Sequence, residues 1–188
     1  MHGTEFTDAA MSICEGKKLR MQRGRLDPAA YDGEPFDVVT YFEVLEHINN
    51  PLEEVSNLCR VLREGGLLYF TTPNFNAVER LVLKDKYSII SYPEHLSYYT
   101  PKTMHYLLDS FGFTKVDVET TGISVTRVRN SLGLTDQRLV SETSDDEVIR
   151  ITLEASRGTR AVKSVANKIL TLLGVGNSIK GFYERARS

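Results

Sequence analysis

The sequence predicts an α/β domain built on a mostly parallel sheet, and three features lead to that class. Phe36 to Tyr41 (FDVVTY) and Gly66 to Thr71 (GLLYFT) are short runs, nearly continuous in apolar, β-branched and aromatic residues. Strands covered on both faces read this way. Between them lies a helix signal, with Asn50 as N-cap, Pro51 at the first helical position and Glu53 completing a capping box. Leu52, Val55, Leu58, Cys59 and Leu62 form its apolar stripe, and Gly65-Gly66 stops it. Strand, helix and strand with short joints make a βαβ unit, which is right-handed and parallel by default.

The pattern continues in both directions. Upstream, Thr7 is placed to cap a short helix carrying Ala10, Ile13 and Cys14, and Leu19 to Gln22 reads as a strand. Downstream, Asn74 is placed to cap a helix with Phe75, Val78, Leu81 and Val82. Thr100-Pro101 opens another, with Met104, Leu107, Leu108 and Phe111 on one side and Gly112 as its stop. Val116 to Thr121 alternates as a strand does, and Ser178 to Tyr183 suits a last strand. Residues 123–144 carry no clear period, whereas 145–173 read as helical, with Val162, Val165, Ile169, Leu170 and Leu173 on one side. No repeat or linker divides the chain, so residues 1–188 are expected to form one domain.

Bulk composition narrows the function classes. Hydrophobic residues at 41% and charged residues at 26% suit a globular protein. The net charge of −2 gives no overall attraction to nucleic acid or to an anionic membrane. That average hides an asymmetry. Arg157, Arg160, Lys163, Lys168, Lys180, Arg185 and Arg187 face a single acid, Glu184, in the last part of the chain. The stretch before it holds Glu142, Asp145, Asp146, Glu147 and Glu154, and solvated helix faces account for such blocks. Cys14 and Cys59 read as buried free thiols. No apolar run reaches the length of a membrane span and no signal pattern opens the chain, so a cytoplasmic location is expected.

Residues 36–74, FDVVTYFEVLEHINNPLEEVSNLCRVLREGGLLYFTTPN, are very similar to the fourth-to-fifth-strand region of class I S-adenosylmethionine-dependent methyltransferases of the ubiquinone-biosynthesis (UbiG-like) type. EHLSYYTPKTMHYLLDSFGF resembles the segment before that family's sixth strand. The resemblance implies a Rossmann-like methyltransferase sheet with S-adenosylmethionine as cofactor and a small-molecule methyl acceptor. Glu5 would then end a strand and accept hydrogen bonds from the ribose hydroxyls. Phe6 would border the adenine, Gly24 and Leu26 would line its pocket, and Phe42 would pack near the methionine part. The family's first strand and glycine-rich loop have no counterpart before Glu5, so a partial domain lacking them is expected. Its central strands would lose ladder partners, and an unpaired edge invites a second copy of the chain.

Glu43, Glu46 and His47 carry a separate signal. If this segment turns helical, positions i, i+3 and i+4 share a face and offer two carboxylates and an imidazole to Mg²⁺ or another divalent cation. The small-RNA terminal 2′-O-methyltransferases are similar in this spacing and add a histidine from a later loop, the position that His95 occupies here. That resemblance implies metal ligands at Glu43, Glu46, His47 and His95, with His47 and His95 at the chemistry. Tyr87, Tyr92, Tyr98 and Tyr99 crowd the same loop and suggest a substrate-facing lid. The leading expectation is O-methylation of a small hydroxylated molecule, by this chain or by the protein of which it is a fragment. The alternative is a truncated, non-catalytic interaction domain. An NAD-dependent oxidoreductase also tolerates Glu5 but has no counterpart to the FDVV…EVLEH…VLREGG series.

Overall fold

In a computed structural model, residues 2–31, 33, 35–87, 89–134 and 157–187 are described. β1 (His2–Glu5), α1 (Asp8–Gly16) and β2 (Arg20–Arg23) form a βαβ unit whose strands pair in parallel. β3 (Phe36–Phe42), α2 (Pro51–Val61) and β4 (Leu62–Pro73) form a second, again parallel. α3 (Val78–Leu83), α4 (Pro101–Asp109), β5 (Phe113–Thr121), α5 (Val125–Ser131), α6 (Arg157–Leu173) and β6 (Ser178–Arg185) follow. β6 is antiparallel to both neighbours and completes a four-stranded sheet of order β3-β4-β6-β5.

The two sheets meet without joining. β1 pairs with β2, β3 pairs with β4, and no ladder links β1 to β3 among the described residues. The strands nonetheless start side by side, since the His2 ring lies 5.3 Å from the Phe36 ring and 5.7 Å from that of Tyr31. β3, a central strand by its sequence, is therefore an edge. Val38 and Phe42 on it are exposed, where two-sided burial was expected.

Local signals hold where the chain needs them. Asn50 accepts a hydrogen bond from the Glu53 amide, and its own side-chain amide donates to Glu53 Oε2 at 3.1 Å, closing the cap of α2. Thr100 and Thr103 form a full capping box at α4. Two expected caps do not form. Thr7 directs its hydroxyl to Glu5 Oε1 rather than to α1. Asn74 lies outside α3 and donates through Nδ2 to the carbonyls of Gly174 (3.0 Å) and Gly176 (2.7 Å), clamping the end of β4 to the turn before β6. Leu52, placed in the stripe of α2, is exposed, and Leu62 begins β4 rather than ending the helix.

The core fills the space between α2, α4 and the larger sheet. Leu58, Leu62, Leu68, Phe70, Met104, Leu108, Phe113, Ile179 and Tyr183 are almost wholly buried, each stabilising the fold by roughly 1.5–3 kcal/mol if apolar. Both cysteines are free and only half-buried, and Cys59 points at the Phe111 carbonyl. The helix expected over 145–173 is described from Arg157 onward; residues 145–156, with most of the acidic block, lie outside the described residues.

One buried carboxyl sets a pH dependence. Glu54, on α2, accepts the Tyr41 hydroxyl at 2.9 Å, and burial pushes its pKa up against the downward pull of Tyr41 and Arg25. Folded Glu54 thus holds its proton more tightly than unfolded Glu54. Its contribution is full below the ordinary value of 4.5 and is lost as pH rises through the raised folded value. Urea unfolding across pH 4.5 to 7 should show the parent gaining stability on Glu54→Gln as pH falls. A constant difference would refute the shift.

Candidate functional site

β3 and β4 run in parallel, so their carboxyl ends lie together, and the functional residues gather there. After Phe42 the chain turns sharply: Glu43 has φ of 53° and its amide donates to the Thr71 carbonyl at 3.0 Å. Only Leu45–His47 then form a short 3-10 turn. The expected helical face through Glu43, Glu46 and His47 is therefore not formed. Glu43 is exposed and stands outside the ligand cluster, because a left-handed residue breaks the i, i+3 relation.

Glu46, His47 and His95 do come together. One ligand atom from each lies within 4.8 Å of the others, with the imidazole rings 5.0 Å apart. Glu46 is buried, its Oε2 accepting from the Thr72 hydroxyl at 2.8 Å and its Oε1 standing 3.9 Å from His47 Nε2. Burial pushes the Glu46 pKa up; its own backbone amide and Thr72 pull it down, Glu43 pushes up and His47 pulls down. His47 Nδ1 lies 2.7 Å from the Glu94 carbonyl, and His95 Nδ1 lies 2.7 Å from the Ile89 carbonyl. A carbonyl only accepts, so each Nδ1 carries the proton and each Nε2 keeps its lone pair when the ring is neutral. Backbone carbonyls thereby fix both rings, with His47 Nε2 facing the buried Glu46 carboxylate, an arrangement also found in histidines that bind metals.

The 84–99 loop is tied to this cluster by the Glu46 carbonyl, which accepts the amides of Leu96 (2.8 Å) and Ser97 (3.0 Å). Tyr98 donates to the His95 carbonyl at 3.2 Å. The tyrosines divide. Tyr87 and Tyr99 are buried and hold the loop down, and Tyr92 is exposed. Thr72 and the two carbonyls were not legible in the sequence. The only trace was a threonine pair ending β4.

The residues expected at the cofactor are less converged. Glu5 Oε1 accepts from the Phe6 amide (2.8 Å), the Thr7 amide (2.9 Å) and the Thr7 hydroxyl (3.1 Å). The Thr7 and Phe6 amides hold its pKa below the ordinary carboxylate range. Phe6 and Phe42 are exposed, and Gly24 turns at φ of 93° with its amide on the Glu5 carbonyl. Leu26 lines a cavity of ≈ 300 Å³ with Arg25, Asn50, Glu53 and Arg60; Glu5, Gly24 and Phe42 do not border it.

A sheet of this order, with a polar cluster at the carboxyl ends of its parallel strands, defines a Rossmann-like site. Residues 5–118 match the family described as a methyltransferase domain, more than half of the chain, and the chain belongs to that family. It is similar to a ubiquinone biosynthesis O-methyltransferase of Coxiella burnetii, 26% identical over 135 residues, covering 68% of this chain and 57% of the relative. Against the Thiobacillus denitrificans protein of that name the identity is 44% over 54 residues, 29% of this chain and 23% of the relative. The chain thus spans 57% of the one relative's length and 23% of the other's, less than two thirds of either. Two solved structures share the fold. A SAM-dependent methyltransferase of Archaeoglobus fulgidus superposes with TM-score 0.58 at 18% identity, over 97% of this chain and 75% of that one. A SAM-dependent methyltransferase of Thermotoga maritima, described as a possible histamine N-methyltransferase, gives 0.61 at 12%, over 98% and 72%. No described helix is long and apolar enough to cross a membrane.

Proposed function

We propose that this chain carries the acceptor half of an S-adenosylmethionine-dependent O-methyltransferase acting on a small hydroxylated molecule. The observation that carries the reading is the convergence of Glu46, His47 and His95 where β3 and β4 end. Family membership and the names of the ubiquinone-biosynthesis relatives support methyl transfer to oxygen. S-adenosylmethionine, when bound, would supply the methyl group: an acceptor hydroxyl oxygen would attack the methyl carbon as the carbon–sulfur bond breaks, with S-adenosylhomocysteine as the leaving product. With no ion in the site, the hydroxyl proton would pass to the open Nε2 of His47 or His95. Glu5 is the group suited to the ribose hydroxyls, since all three of its local bonds fall on Oε1 and leave Oε2 for a ligand.

The donor set fits a divalent cation: one buried carboxylate and two oriented imidazoles. Such an ion, when bound, makes a hydroxyl easier to deprotonate. Glu46, His47 and His95 would hold it, and Glu43 would not. Titration with Mn²⁺ or Zn²⁺ alone should show saturable binding, at least about tenfold weaker in His95→Ala and in Glu46→Gln and unchanged in Glu43→Gln. Binding that ignores His95→Ala would remove the metal from the proposal. The reaction itself is tested by transfer of labelled methyl from millimolar S-adenosylmethionine to a catechol acceptor. Glu46→Gln should lower turnover far more than cofactor affinity. The separation of β1 from β3 favours a second reading, a non-catalytic interaction domain, and absence of any labelled product would select it.

A further inference from the structure

We infer, on the reading that Glu46, His47 and His95 hold a divalent cation, that Tyr99 is the residue that positions Glu46. On loading of the site the Tyr99 hydroxyl donates to one Glu46 carboxylate oxygen and leaves the other to the ion. Tyr99 is buried, and its hydroxyl oxygen, buried with it, has no hydrogen-bond partner. A buried hydroxyl without a partner is destabilising, and phenylalanine would fill the same space without that cost. The groups around it are few. Burial pushes the Tyr99 pKa up, Ser97 pulls it down and the Glu46 charge pushes it up. The Ser97 hydroxyl gives its own hydrogen to the Ile48 carbonyl at 3.2 Å, so Glu46 is the acceptor with a use for the Tyr99 proton.

The backbone ties Tyr99 to the same edge of the sheet as Glu46. The Glu46 carbonyl holds the amides of Leu96 and Ser97, and the chain reaches Tyr99 two residues later. There the Tyr99 carbonyl accepts the Phe75 amide at 2.7 Å, and Tyr99 bridges in parallel to Asn74, just past the end of β4. The next residue, Thr100, opens the capping box of α4 and fixes the chain on the other side. Glu46 has room for one more donor. An ionised carboxylate offers about four lone-pair sites. Glu46 receives the Thr72 hydroxyl at 2.8 Å and its own backbone amide. Carboxylates that bind metals are themselves held by hydrogen bonds, which set the oxygen that faces the ion. Thr72 supplies one such bond in the free fold, and Tyr99 supplies the second when the ion draws Glu46 into its ionised form.

Titration of the full chain with Mn²⁺ or Zn²⁺ alone, together with unfolding midpoints of the ion-free protein, separates this role from packing. Tyr99→Phe should weaken binding by about tenfold or more. It should leave the ion-free midpoint unchanged or raise it, because it deletes only an unpartnered hydroxyl. In the parent, ion addition should also perturb the tyrosine ultraviolet absorption, and that change should be lost in Tyr99→Phe. Tyr92→Phe, at an exposed ring, should alter none of these. Binding that weakens in His95→Ala and Glu46→Gln but not in Tyr99→Phe overturns the role of Tyr99 and leaves the ion site standing. A parent that binds no ion overturns both. A lowered ion-free midpoint in Tyr99→Phe also overturns the role, because the hydroxyl is then already bonded in the free fold.

Discussion

Calorimetric titration of this chain with S-adenosylmethionine should give a dissociation constant no tighter than about 100 µM, roughly −5.5 kcal/mol. The cofactor of this family lies across the carboxyl ends of several strands, so its binding needs those strands in one sheet. Here β1–β2 and β3–β4 are separate, with no ladder between β1 and β3 among the described residues. Phe6 and Phe42 stand exposed, and Leu26 faces a cavity that neither Glu5, the group proposed for the ribose, nor Phe42 borders. Bringing these groups together on binding costs ordering entropy that a preformed sheet would not incur. Nothing described cradles the methionine end. A micromolar constant would show that β1–β2 closes on β3 unaided, and the expectation of a weakened cofactor site would be wrong. Glu5→Gln should then weaken binding further, since Glu5 is the group proposed for the ribose hydroxyls.

Gly176→Ala should destabilise the fold by about 3 kcal/mol or more. A Cβ at Gly176 would come within 2.5 Å of the Thr120 carbonyl oxygen and the Thr121 nitrogen, backbone atoms that cannot swing aside. The same residue receives the Asn74 side chain on its carbonyl and donates its amide to the Thr120 hydroxyl at 3.2 Å. Moving it therefore disturbs the clamp between the end of β4 and the start of β6 together with the anchor of α6. For a chain of this length the unfolding midpoint should fall by about 6–12 °C. Gly16→Ala, whose added Cβ meets nothing within 4 Å, is the matched control. Equal midpoints for the two variants would mean that the turn relaxes and the close approach is unimportant.

The resemblance to the methyltransferases was legible because its motifs are local. FDVV and the Asn50-Pro51 cap depend on neighbours in sequence, and β3 and the start of α2 form where they predict, whereas the helix stops at Val61 and Gly65-Gly66 lies within β4. The ligand cluster was legible only by residue type. Helical spacing wrongly included Glu43, because its left-handed turn is imposed by the bond from its amide to Thr71 on a neighbouring strand. What prepares the two histidines, the carbonyls of Glu94 and Ile89, comes from backbone groups that every residue carries, so no pattern marks them. Asn74 illustrates the same limit. Its position reads as a helix cap, yet its amide reaches Gly174 and Gly176, a hundred residues on.

By itself the sequence determined the class of the sheet, the order of its elements and the residue types at the carboxyl edge, since periodicity, capping and turn chemistry act over a few residues. It also carried the amphipathic character of α6. Tertiary structure alone decided which way that helix faces. Amphipathicity predicts burial of the apolar side, but Thr171 donates to Thr120 of β5 and Asn167 accepts the Gly122 amide just beyond it, and that side faces outward. Tertiary structure likewise made β3 an edge, although its apolar run is that of a central strand. Burial is a property of what packs against a residue, and for β3 and α6 that depends on groups far away in the chain.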